Sequence, residues 1–308
     1  MSDTARHDHD HAHRHHRHDT HGHGGNVLFK ALFVTLAFSL VEALAGVWSG
    51  SLALLSDAGH MLTDSMALGL AGLAAWLARR PPSGRHTYGL VRLEILAALT
   101  NSLIMLALIA WIAFEAVRRL SSPQPVMGQA VALVAAVGLL VNLFVAWLLH
   151  HGDGGINTRA ALMHVLGDLL GSVAALAAGA VIWATGYTPI DPILSLLVSL
   201  LILVSAWRLL GESVHILMEG VPVHIELSRV TATLMSIAGV CRVHDLHVWT
   251  LSSGQIALSA HLELNDFDHW PDILATARDE LEHDHGIRHA TLQPEFQGED
   301  CFCSLEHA

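Results

Sequence analysis

Charge is scarce in this sequence. Only 14% of its 308 residues are Asp, Glu, Lys or Arg, where a soluble domain carries about 25%. So few charges cannot cover a surface that faces water on every side. Most of the chain therefore has lipid as its solvent, with enough left over for one small soluble domain. Basic residues are scarcer still: 16 Lys and Arg against 28 Asp and Glu leave a formal net charge of −12. That excludes nucleic acid as a partner, because phosphate binding needs clustered Lys and Arg. Three cysteines, Cys241, Cys301 and Cys303, are too few for a disulfide scaffold, so the soluble part reads as cytoplasmic. No His-Glu-x-x-His occurs, which removes the usual signature of a zinc hydrolase and argues against an enzyme.

Histidine is in excess: there are 24, nine of them between His7 and His23. That stretch lacks the apolar run of a signal peptide. It has no apolar period with which to bury a core, so residues 1–25 read as a disordered tail. Asp8, Asp10, Arg14 and Arg17 interrupt the run, unlike a uniform purification tag. The mixture suits a flexible, weak collector of borderline metal ions.

Six stretches supply the roughly 20 apolar residues that a membrane span needs. They are Val27 to Trp48, Ser51 to Ala78, Ile95 to Phe114, Val126 to Leu149, Ile156 to Thr185 and Pro189 to Leu210. Residues 26–211 thus read as a six-helix transmembrane domain. An even number of spans leaves both termini on one side, and the bias of Arg and Lys selects the cytoplasm. Lys30, Arg79, Arg80, Arg85, Arg159 and Arg208 lie on that side; Arg118 and Arg119 lie on the other and run against the rule. After Gly211 the apolar runs stop. Segments 224–237, 242–251, 256–264, 270–284 and 287–296 read as helix, strand, strand, helix and strand. Residues 212–298 are then a small cytoplasmic α+β (αββαβ) domain, and 299–308 a Cys-containing tail. The expected fold class is an α-helical membrane protein with six transmembrane helices and that domain, in the cell inner (plasma) membrane.

An ionisable side chain at the centre of a span costs about 2.5–3.5 kcal/mol on insertion scales. The second span nevertheless carries His60 and Asp64, and the fifth carries His164 and Asp168. Each pair is spaced i, i+4, so its two side chains share one helical face. Facing each other, the pairs offer two imidazoles and two carboxylates, the four N/O ligands that a tetrahedral Zn²⁺ takes. Near the midplane is where transporters hold their substrates. One such pair could be a structural hydrogen bond; the same spacing in two spans exceeds what that needs. Asp57, on the same face as His60, either caps the helix or lines an outward exit, and the cap is favoured. Glu42 belongs either to the ion path or to a hydrogen bond with Asn101 or Asn142. Gly72, Gly138, Gly171 and Gly179 read as close helix packing.

The chain resembles the cation diffusion facilitators, and among them the bacterial zinc exporters. The likeness rests on Ser51 to Asp64, on Arg85 to Gly89 with Arg92 to Ile95, on Met218 to Pro222 and on Val243 to Trp249, and it covers about residues 26–297. It implies a proton-coupled exporter, a homodimer through the soluble domain, and transport ligands at His60, Asp64, His164 and Asp168. The His–Asp ligand set looks like the zinc-selective branch. Relatives with a further site between spans two and three have a second histidine where this chain has Leu90, so that site is expected to be absent.

The soluble domain offers a second cluster. If residues 252–255 form the hairpin loop, Leu251 pairs with Ile256 and Leu246 opposes His261. His244 and His261 then share a face diagonally, and His247 points the other way. His289 and Glu295 share a face of the last strand. Cys301 and Cys303 are thiolates of the kind relatives use as ligands. The resemblance implies a regulatory Zn²⁺ site here; otherwise these residues are a polar sheet surface. The expected function is Zn²⁺ efflux by metal/proton antiport, with divalent metal ions, protons and the bilayer as partners. The alternative is a membrane-anchored zinc buffer or sensor.

Overall fold

A computed structural model of the protein describes residues 23–150, 156–252 and 254–296, with the side chains of residues 23–29, 156–161, 163 and 164 left out. The His-rich tail, the side chain of His164, and Cys301 and Cys303 lie outside the described residues. Six helices come first: α1 (His23–Ser49), α2 (Leu52–Ala78), α3 (Leu93–Ser121), α4 (Gly128–His150), α5 (Ile156–Thr185) and α6 (Ile190–Leu217). Each is long and apolar enough to cross a membrane. Their burial is inverted relative to a bundle in water. Leu44, Trp48 and Phe114 are at least 70% exposed, whereas Glu42, Asp57, Asn142, Asp168 and Asp191 are at most 2% exposed. Hydrocarbon selects this arrangement, because polar groups can find partners only inside the bundle.

Helix α3 packs along α6, α4 along α5, and α1 along both α2 and α4, while α2 and α5 meet at the centre. A Cβ on Gly179 of α5 would collide with the backbone of Ala132 in α4, so that glycine does mark a close approach. Gly72 faces open space instead, and close packing does not explain it.

The chain turns from α1 into α2 at Gly50, whose φ is +74°. A helix start leaves N–H groups without intrahelical partners, and this start is buried. Ser51 Oγ accepts from Leu54 N (3.2 Å) and donates to Asp191 Oδ1 (2.5 Å). Leu52 N and Ala53 N donate to the two Asp191 oxygens at 2.6 and 3.3 Å. The capping expected of Asp57 therefore falls to Ser51 and Asp191, because α2 already begins at Leu52. The two arginines that oppose the charge rule also find a role here. Arg118 and Arg119 both reach Glu115, at 2.8 and 2.9 Å, and Arg119 donates to the Gly50 carbonyl. Glu115 balances their charge locally, and Arg119 ties α3 to the α1–α2 turn.

Helix α6 runs to Leu217, past the break expected at Gly211. One interior glycine costs a helix about 1 kcal/mol, too little to stop it where Val214, Ile216 and Leu217 continue the pattern. Beyond it come α7 (Leu227–Ser236), β1 (Val240–Ser252), β2 (Gln255–Leu264), α8 (Trp270–His285) and β3 (His289–Phe296). The sheet order is β1-β2-β3, with β1 antiparallel and β3 parallel to β2. Helix α8 ends at left-handed Gly286 (φ +69°), where Ile287 N reaches back to the Leu281 carbonyl at 2.9 Å. Val230 and Leu234 of α7, Ile273 and Leu281 of α8, and Leu258 and Leu262 of β2 form the core of this domain. The helices cover one face of the sheet and leave the other polar.

The β1–β2 register departs from the expectation. Thr250, not Leu251, pairs with Ile256, and His244, not Leu246, pairs with His261. Irregularities between Thr250 and Ser252 and between His244 and His247 each insert one extra residue into β1. The second holds Asp245 at a φ of +50°. It also turns His247, paired with Ser259, onto the same face as His244 rather than the opposite one.

Candidate metal centre

Two groups of side chains among the described residues are arranged to hold a metal ion. The first lies inside the helix bundle. His60 Nδ1 is 3.4 Å from Asp64 Oδ2 on the same helix, and His60 Nε2 is 3.6 Å from Asp168 Oδ1 of α5. One donor atom from each of the three falls within 4.8 Å of the others. A tetrahedral ion with bonds of about 2.0–2.1 Å spaces its ligand atoms about 3.3 Å apart, so the observed separations are close to those of a formed site. Two different nitrogens of His60 make these contacts. His164 belongs to α5 one turn before Asp168, with its side chain outside the described residues.

These residues line a cavity of about 360 Å³ between α2, α3, α5 and α6, which Asp57, Asn101 and Ser205 also face. Asp168 is buried, whereas the side chains of His60 and Asp64 are 19% and 20% exposed. The cluster thus sits at the inner wall of a cavity that an ion could reach. Asp57 Oδ2 accepts from Ser172 Oγ at 3.0 Å, and Ser172 in turn accepts from Asn142 Nδ2 at 3.1 Å. A Cβ on Gly171 would collide with the Asp57 carboxylate, so α5 carries glycine where Asp57 needs room. Neither Asn101 nor Asn142 makes the hydrogen bond to Glu42 that its position had suggested; Asn142 is committed to Ser172.

The second group lies on the open face of the sheet. Glu295 accepts from His244 Nε2 at 2.9 Å through one oxygen, and its other oxygen lies 2.7 Å from His261 Nδ1. The three donor sets fall within 4.8 Å of one another. His289 stands apart at the start of β3, its ring 5.8 Å from that of Tyr88. Two acids that the sequence reading passed over lie close by. Glu263 is 3.8 Å from His244, and Asp245 is 3.0 Å from His247 and 3.7 Å from His261. Nothing in the sequence signalled Asp245, because the bulge that sets the register of His244 against His261 contains it. Cys301 and Cys303 lie outside the described residues.

Residues 28–218 match the model of the cation efflux transmembrane domain, and residues 222–297 match that of the cation efflux protein, cytoplasmic domain. The chain is 47% identical over 285 residues to the zinc transporter ZitB of Escherichia coli (strain K12), covering 89% of each protein. It is 38% identical over 283 residues to the cadmium, cobalt and zinc/H(+)-K(+) antiporter of Bacillus subtilis (strain 168), covering 89% of this chain and 91% of that one. The metal cation efflux system protein CzcD of Cupriavidus metallidurans is 38% identical over 279 residues, with 89% and 88% covered.

Proposed function

The chain belongs to the cation diffusion facilitator (cation efflux) family, whose members are membrane transporters and not enzymes, and from that premise we propose that it exports Zn²⁺ in exchange for protons through His60, Asp64, His164 and Asp168. The observation that carries this reading is the convergence of His60, Asp64 and Asp168 from two helices at a buried cavity wall. Zinc as the exported ion is supported by the name of the ZitB relative, and proton exchange by that of the Bacillus subtilis antiporter. The protein acts in the inner (plasma) membrane as a homodimer through its C-terminal domain, with both termini in the cytoplasm.

The chemistry of the four groups suits exchange. An imidazole binds a metal ion only when neutral, so Zn²⁺ and protons compete for the same nitrogens. Protons are scarcer in a near-neutral cytoplasm than in a more acidic exterior, so metal wins the competition on the inside and protons win it on the outside. An inward proton gradient thereby drives Zn²⁺ outward. The test is Zn²⁺ flux by the purified protein in sealed vesicles with an imposed pH gradient. Binding without flux would leave the buffer or sensor reading in its place.

Metal choice at this site follows from ligand type. His60→Asp exchanges a rigid imidazole for a carboxylate, which can shift between one and two contacts and so fits the larger Cd²⁺ more easily. We expect wild-type protein to prefer Zn²⁺, and His60→Asp to keep Zn²⁺ transport while raising the cadmium-to-zinc flux ratio about tenfold. An unchanged ratio at matched expression would show that His60 does not set selectivity.

His244, His261 and Glu295 are proposed to hold a regulatory Zn²⁺. Glu295 touches both histidines, so Glu295→Ala should weaken this site about 100-fold or more. Zn²⁺ titration into protein that lacks residues 2–24 and carries Asp168→Ala reads this site without the His-rich tail and the intramembrane site. Unchanged affinity would leave the cluster a polar sheet surface.

A further inference from the structure

Glu42 is a buried acid that belongs to neither cluster and has no partner of its own among the described residues. Glu42 lies within α1 at 0% exposure, and among the described residues neither of its carboxylate oxygens has a hydrogen-bond partner. Its Oε1 rests against Gly138 of α4, where an added Cβ would stand 2.9 Å away. One turn along that face of α4 is Asn142, which begins the chain of hydrogen bonds through Ser172 to Asp57. Asp57 in turn lines the cavity that holds His60, Asp64 and Asp168.

Among the described residues, the charged groups that act on Glu42 are acids. Asp57 of α2 and Asp168 of α5 bear on it electrostatically. Helix α4 brings no ionisable group besides His150 at its far end, and on α1 Lys30 lies well away near the N-terminus. Ionised, Glu42 would be a buried charge without a partner, facing two like charges; neutral, it leaves only polar atoms unpaired, which costs far less. A carboxyl in this setting is a place to keep a proton.

We propose that Glu42 binds a proton of the transport cycle and exchanges it with the metal cavity by way of Asp57. The coupling is electrostatic. A dication arriving among His60, Asp64 and Asp168 stabilises negative charge on the neighbouring acids, so the Glu42 carboxyl gives up its proton and becomes carboxylate. When the metal leaves, the carboxylate takes a proton back. Metal and proton are thereby exchanged at two places, and Glu42 need not ligate the ion.

This rests on the antiport reading, and vesicle measurements separate the two. Glu42→Gln keeps the shape of the side chain but has no proton to release. It should retain Zn²⁺/Zn²⁺ exchange at equal pH within about twofold, and lose about tenfold or more of the acceleration that a pH gradient gives to Zn²⁺ flux. Acidification or alkalinisation of the lumen that accompanies Zn²⁺ movement, followed with a pH-sensitive dye, should fall in parallel. Glu42→Asp, which keeps a titratable carboxyl, should retain the response. A wild-type response in Glu42→Gln overturns the proposal. So does an equal loss of exchange and of gradient-driven flux, which would make Glu42 a packing residue. Wild-type protein that exchanges Zn²⁺ but ignores the gradient would remove the antiport premise, and this proposal with it.

Discussion

Asp168→Ala is expected to abolish Zn²⁺ flux while the protein still assembles as a dimer. Asp168 is 2% exposed and brings an α5 carboxylate to the α2 ligands, 3.6 Å from His60 Nε2. Removing it takes away one ligand and one negative charge, and a dication in so buried a place depends on both. Even outer partners of metal ligands cost about 10–100-fold in affinity or activity when removed, so losing a ligand outright should take flux below detection. The dimer should survive, because the soluble domain has its own core around Leu234, Leu258 and Leu281. His60→Ala should behave the same way. Normal flux from either variant at full expression would sink the proposed ligand set.

Asp191→Ala should cost the fold more than any other single change away from the metal site. The Asp191 carboxylate accepts from Ser51 Oγ, Leu52 N and Ala53 N at the buried start of α2. Alanine would leave those buried donors without the acceptor they now share. A lost cap costs about 0.5–2 kcal/mol, and each buried donor left unsatisfied about 1–3 kcal/mol. Together these suggest about 3 kcal/mol or more. Asp191→Asn keeps one acceptor oxygen and should lose less. Thermal unfolding of the purified variants in detergent reads the effect, and a wild-type midpoint for Asp191→Ala would show that the cap is dispensable. Because α2 also carries His60 and Asp64, part of the damage should appear as lost Zn²⁺ binding.

These two residues differ in how far the sequence announces them. Asp168 stands four residues after His164 in an apolar run, and the same spacing joins His60 to Asp64. Asp191 stands beside a proline at the edge of a span, where nothing in the sequence separates it from a loop residue. Its role depends on how α6 lies against the start of α2. Ser172 is similar: one small polar residue in a helix rich in small residues, made specific by the approach of Asp57. Arg118 and Arg119 read only as violations of a charge rule until Glu115 and the Gly50 carbonyl come within reach.

What the sequence by itself determined was local and periodic. Six apolar runs of sufficient length have to cross a membrane, because hydrocarbon tolerates backbone only with its hydrogen bonds closed inside a helix. The spacing of His60 and Asp64 puts both on one face of any helix they belong to. The αββαβ order likewise follows from where the apolar period changes between helical and alternating. Only the tertiary structure decided which faces meet. The bulge at Asp245 places His244 opposite His261, and the parallel docking of β3 brings Glu295 to both. A bulge inserts one residue and shifts the alternation of every residue beyond it, and nothing in the composition marks where it falls. Register and helix rotation depend on contacts between segments far apart in the chain, and no spacing within one segment encodes them.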